Sequence, residues 1–200
     1  AHNATLIHDD LQDGDTMRRG KPTVWYQYGM PQAVNAGDML LMLPYVCIGR
    51  MNADHSIKNR LHACMVEQMV RVIEGQAQEG LMTTQSQANR EKYDSAIMGK
   101  TGALFRLPVE GAAIMADVSD ADSKAIGEWF APLGMLFQMQ DDILDLYGKK
   151  GREQIGTDIQ EGKISAMVVE YAERCPEQQA WLQGILKKSR NETLLSDIEQ

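Results

Sequence analysis

Along nearly the whole chain, apolar residues return every three or four positions. That period buries one stripe of an α-helix and mismatches the two-residue repeat of a strand. Ala33 to Ile48 is apolar and rich in methionine, with Pro44 near its end as the expected kink. Asp54 or Ser56 can cap a helix that carries Met65, Met69, Val70 and Ile73. Asn89 to Phe105 keeps the period until Leu107-Pro108, where proline is expected to end or bend the helix. Ser123 to Tyr147 forms another long segment, and Ile164 to Arg174 a shorter one ahead of Cys175-Pro176. No alternating β-branched run bounded by hairpin turns is present in the sequence, nor any repeat, low-complexity tract or linker. The pattern predicts a single all-α domain over residues 1–200.

Composition narrows the class. Twenty basic against 28 acidic side chains leave a formal charge of −8, which excludes a general nucleic-acid binder with its basic face. A hydrophobic share of 44% excludes a disordered chain, and no apolar run approaches the ~20 residues of a membrane span. The chain opens at Ala1 without an initiator Met or the pattern of a signal peptide, as expected of a processed chain or part of a longer one. Cys47, Cys64 and Cys175 are widely spaced and form no CxxC, so they read as reduced thiols in a cytoplasmic protein. The 13 methionines suit either an adaptable core filler or a soft-walled pocket for a flexible hydrocarbon, and composition alone does not separate the two.

One pattern occurs twice. Asp9-Asp10-Leu11-Gln12-Asp13 and Asp141-Asp142-Ile143-Leu144-Asp145 each place carboxylates at i, i+1 and i+4, which a helix gathers within about 100° of arc. Fifteen aspartates in 200 residues give roughly 0.08 chance matches to this pattern, so two copies are not accidental. Like charges packed on one face repel unless a cation sits among them. Mg²⁺ held by a few carboxylates and phosphate oxygens meets that need. Arg18-Arg19-Gly20-Lys21-Pro22 follows the first cluster, and Gly156-Thr157-Asp158 with Glu161-Gly162-Lys163 follows the second. Acids, a metal and arginines together describe a site for a polyanion, most simply a diphosphate.

With these residues in place, the sequence resembles the trans-isoprenyl diphosphate synthases. DDLQDGDTMRRGKPT is similar to their first aspartate-rich motif, DDxxD followed by RRG. Gly75-Gln76, Lys100-Thr101, Phe137-Gln138 with QDDILD, and GTDIQEGK at 156–163 match the other landmarks in order, from Ala1 to about Ser165. Synthases of the geranylgeranyl type look most similar, because the first motif lacks a two-residue insertion. The resemblance implies an antiparallel helix bundle around a deep cavity, a homodimer, and three Mg²⁺ ions (Mn²⁺ as a substitute) on an allylic diphosphate. By the same resemblance Asp9, Asp13 and Asp141 are direct metal ligands, and Asp10, Asp142 and Asp145 support them or bind through water. Arg18, Lys100 and Lys163 grip the allylic diphosphate, Arg19 the isopentenyl diphosphate, and Thr101 and Gln138 lie near the developing allylic cation. His8 is expected to give hydrogen-bonding support beside the first motif, while His2, His55 and His62 are expected to be structural or exposed.

In this family, residues one to two turns before the first motif floor the elongation pocket. Ala1, Ala4 and Thr5 are small there, so the product is expected to reach twenty carbons or more. Two positions depart from the family pattern: Glu153-Gln154 replace the lysine before GTD, leaving Arg152 and Lys150 as stand-ins, and Glu79 replaces an aspartate. The N-terminal helices that carry an isopentenyl diphosphate site, and the end beyond Ser196-Asp197-Ile198-Glu199-Gln200, are expected to belong to a longer chain. Other readings are a class I terpene cyclase, a non-catalytic subunit of a heteromeric synthase and a structural metal-binding helical protein. The second DDxxD copy, DDILD, argues against the first, two intact motifs against the second, and the ordered landmarks against the third.

Overall fold

The computed structural model describes residues 1–85, 88–148 and 156–188. Lys150, Arg152, Glu153 and Gln154, and the segment Ser196 to Gln200, lie outside the described residues. Helix α1 (His2–Gln12) leads into a hairpin of two-residue strands, β1 (Met17–Arg18) and β2 (Lys21–Pro22). Short α2 (Val24–Tyr28) and long α3 (Met30–Arg50) and α4 (His55–Gln85) follow. Then come α5 (Arg90–Ile97), a π-helical turn at Met98–Gly102, α6 (Ala103–Met115) and α7 (Asp120–Tyr147). The described chain closes with α8 (Thr157–Gln160), α9 (Ala166–Arg174), a 3-10 turn at Pro176–Gln178 and α10 (Gln179–Leu186).

The caps explain several boundaries. Asn89 Oδ1 accepts from the Lys92 N–H at 2.9 Å and starts α5. Ser119 accepts from the Asp122 N–H and starts α7 three residues ahead of the Ser123 read from periodicity. Helix α4 begins directly after Asp54. Helix α6 continues past Pro108, so of the expected end or bend the end does not occur. Proline forgoes one backbone bond, roughly 3 kcal/mol, but α6 packs along both α4 and α7 and that burial outweighs the loss. The hairpin was not expected either, since two-residue strands are too short to alternate. Its turn needs positive φ at both central residues, supplied by Arg19 (52°) and Gly20 (75°).

The closest packing pairs α6 with α7, α1 with α3, and α4 with α6. Met65, Met69, Val72 and Ala103 form one core between α4 and α6, flanked by Ala1, Leu41, Tyr45 and Ile48. Met82, Tyr93, Ile97, Val169, Leu182 and Leu186 are central to a second, which joins α4, α5, α9 and α10. Methionine serves these interiors at 65, 69 and 82, while Met30, Met39, Met42 and Met115 stand exposed. The π turn is gripped from both sides. A Cβ on Gly75 of α4 would sit 2.3 Å from the Lys100 backbone nitrogen, and one on Gly134 of α7 2.7 Å from the Gly102 Cα. Only glycine admits backbones that close.

Candidate active site

Helix α1 sorts its three aspartates by face. Asp10 is 4% exposed and receives a hydrogen bond from Arg18 Nε across the hairpin. Burial raises its pKa against the pull of that arginine. Asp9 and Asp13, one turn apart, remain partly exposed on a shared face. Lys163 Nζ donates to Asp13 Oδ2 at 2.7 Å and also lies 3.0 Å from Glu161 and 4.0 Å from Asp158. Lys100 Nζ donates to Glu79 Oε2 at 2.6 Å and stands 3.8 Å from Asp9.

Burial works to lower the pKa of both lysines. Glu79 and Asp9 outweigh it at Lys100, and Asp13, Glu161 and Asp158 outweigh it at Lys163, so both stay above the ordinary lysine value. Asp9 is held above the usual carboxylate range, chiefly by burial and against the pull of Lys100. Two permanent cations therefore face the first acidic motif.

The second motif sorts differently. Asp141 is partly exposed, whereas Asp142 and Asp145 are each 4% exposed. Asp142 accepts from the Tyr93 hydroxyl (2.7 Å), the Ala166 N–H (2.7 Å) and Gln138 Nε2 (2.9 Å). Asp145 accepts from Thr157 Oγ1 (2.7 Å) and the Asp158 N–H (3.1 Å), while its carbonyl takes the Gly156 N–H. It thereby fixes the glycine-spaced segment that carries Lys163. Thr101, buried on the π turn beside Lys100, donates to Gln138 Oε1 at 3.2 Å.

The two motifs are thus joined along two routes, Asp9–Lys100 beside Thr101–Gln138–Asp142, and Asp13–Lys163–Asp158 beside Asp145. Arg19 stands exposed at the hairpin turn. His8 Nε2 approaches the Val34 carbonyl at 3.4 Å and Asp38 at 3.5 Å, tying α1 to α3. Tyr93 and the Gln76–Gln12 amide pair (2.7 Å) were not read from the sequence.

Asp9 and Asp13 offer hard oxygen donors from one side, and among the described residues no three His, Cys, Asp or Glu side chains converge as a metal-holding group. That donor set fits an ion bound through one or two carboxylates with its remaining coordination from phosphate oxygens and water, as Mg²⁺ is. No helix among the described residues is long and apolar enough to cross a membrane.

An all-helical bundle with two aspartate clusters and convergent lysines defines the class, and comparison with known proteins agrees. The polyprenyl synthetase family model matches residues 1–199, and the chain belongs to that family. A short chain isoprenyl diphosphate synthase of Methanocaldococcus jannaschii is 39% identical over 170 residues, covering 84% of this chain and 51% of the relative. A geranylgeranyl diphosphate synthase of Sulfolobus acidocaldarius is 32% identical over 180 residues, 88% of this chain and 54% of the relative. The crystal structure of a geranylgeranyl pyrophosphate synthetase from Pyrococcus horikoshii superposes with a TM-score of 0.86 at 32% identity, covering 99% of this chain and 60% of that one. The chain spans about half the length of the curated relatives it matches.

Proposed function

We propose that this chain forms the catalytic centre of a trans-polyprenyl diphosphate synthase, which condenses isopentenyl diphosphate head-to-tail with an allylic diphosphate. The observation that carries the reading is the convergence of Lys100 and Lys163 on the Asp9–Asp13 face, from positions far apart in the chain. Acids alone would hold a cation, and lysines alone an anion. Together they suit a metal diphosphate. Asp9, Asp13 and Asp141 would hold Mg²⁺, three ions per site by family resemblance, with Asp10, Asp142 and Asp145 fixing the surrounding geometry. When bound, the metal supplies Lewis-acid stabilisation of the leaving diphosphate.

Lys100, Lys163 and Arg18 steady the anion as the allylic C–O bond breaks and the electron pair leaves with diphosphate. The isopentenyl double bond then supplies the electrons of the new C–C bond, and the adjacent carbon loses a proton to the departed diphosphate. By family resemblance Arg19, exposed at the hairpin turn, would hold the isopentenyl diphosphate. By family resemblance the hydrogen-bonded Thr101 and Gln138 would lie near the developing cation. Ala1 and Ala4 line an open cleft of about 390 Å³ with His2, Asn3, Leu40, Leu43, Pro44 and Cys47; by family resemblance, small residues at these two positions favour a product of twenty carbons or more. A homodimer suits the exposed Met39, Met42 and Val46 of α3 and Val66, Val70 and Ile73 of α4, and a reducing cytoplasm suits the free cysteines.

A product chromatogram from the full-length protein with labelled isopentenyl diphosphate tests the reading. Linear polyprenyl diphosphates are expected, with Asp9→Ala and Asp141→Ala each orders of magnitude slower. Near-wild-type turnover of either variant refutes its assigned role, and no twenty-carbon product from a farnesyl primer refutes the length.

A further inference from the structure

We infer that Tyr93 is a positioning residue that sets the polarity of the Thr101 hydroxyl through Asp142 and Gln138. The inference rests on the reading under Proposed function and adds a residue to it. Tyr93 is 1% exposed in the core between α5 and α9, and its hydroxyl donates to Asp142 Oδ2. A backbone N–H can only donate, so the Ala166 N–H on the same oxygen marks Oδ2 as an acceptor. Asp142 Oδ1 takes Gln138 Nε2. A carboxamide keeps its donors at one end and its acceptor at the other. With Nε2 committed to Asp142, Gln138 Oε1 points away from it and receives the Thr101 hydroxyl.

The single Thr101 proton is thereby spent inside the protein, and lone pairs are what its oxygen has left. An oxygen of that polarity favours a developing allylic cation, whereas one presenting its proton opposes it. Without the Tyr93 donor, Asp142 retains two partners and gains freedom to rotate. Gln138 can then flip, and Thr101 can turn its proton outward.

The test is a double-mutant cycle in the full-length enzyme with Tyr93→Phe, Thr101→Val and the two combined. Tyr93→Phe keeps the ring and its packing, and thermal unfolding checks that the fold survives. The expected result is a kcat about tenfold lower, with KM for both diphosphates within about twofold of wild type. In the Thr101→Val background, Tyr93→Phe should cost clearly less than it does in the wild type, because the hydroxyl it orients is gone. A loosened fold would instead multiply the two effects. Replacing Tyr93 by 4-aminophenylalanine restores a donor on the same ring and should recover the rate, which also reads the relay if the Phe variant fails to fold. An active wild type with Tyr93→Phe at full kcat, with multiplying effects, or without rescue by the amino variant overturns the relay alone. A wild type that transfers no prenyl group overturns the functional reading and the relay with it.

Discussion

The two DDxxD segments share a spacing and differ in what surrounds them. On α1 the aspartates at the first and fifth positions, Asp9 and Asp13, meet lysines on a partly open face, and the one at the second, Asp10, is buried against Arg18. On α7 the first, Asp141, is partly open, while Asp142 and Asp145 are buried among uncharged donors. The fifth position changes role. Asp13 receives a charged lysine, Asp145 a threonine hydroxyl and a backbone N–H. A carboxylate held by neutral donors organises the backbone, whereas one held by a mobile cation can exchange that partner for another. Equal spacing therefore does not mean equal work.

Variants at matched positions can break this contrast. The largest effect is expected from Asp13→Asn, a rate loss of about a thousandfold, several kcal/mol of charge stabilisation, with little change in thermal unfolding. Unaltered turnover would remove Asp13 from the site. Asp145→Ala should act in the opposite register. It removes the acceptor that Asp145 offers to the Thr157 hydroxyl and the Asp158 N–H and costs about 2–3 kcal/mol of stability, read as a lower denaturation midpoint.

Asp9→Asn separates charge from shape. Burial raises the folded pKa of Asp9 above its unfolded value. The native state thus binds more protons, and the contribution to stability is present at low pH and lost as pH rises through the folded value. The asparagine variant should therefore be as stable as wild type or slightly more so at pH 7, with the difference vanishing toward pH 3. A destabilised variant at pH 7 would show that the Lys100 pairing outweighs burial. The smallest effect concerns no catalytic group. Burial pushes the Cys64 thiol pKa up to about 12, so iodoacetamide at pH 8 should modify exposed Cys47 and leave Cys64 intact in the folded protein. Mass spectrometry distinguishes the two.

What could be read from sequence was local. The helical period survived folding because each stripe is buried within a few residues, and the acid clusters were visible because their members lie within five positions. The ion pair of Lys163 with Asp13 spans 150 residues, and nothing near either partner announces it. The Tyr93–Asp142 bond spans 49 residues and was hidden in the same way. Pro108 does not end α6 because a local rule met tertiary packing: the proline sits on the exposed side of the helix, whose opposite face is buried. The division of labour within DDILD was equally illegible, since which aspartate is sealed depends on α5, α8 and α9 arriving against α7.

The π turn carries a consequence for helical phase. A straight helix advances 100° per residue, but the i→i+5 turn at Met98–Gly102 is wider. Tyr93 upstream and Arg106 downstream therefore face directions that an unbroken 3.6-residue count would misassign. Phase in this stretch behaves as a setting fixed by chain length. Removing one residue between 98 and 102 would turn Lys100 and Thr101 away from their partners, or rotate all of α6 against α7, although every side chain named here would still be present.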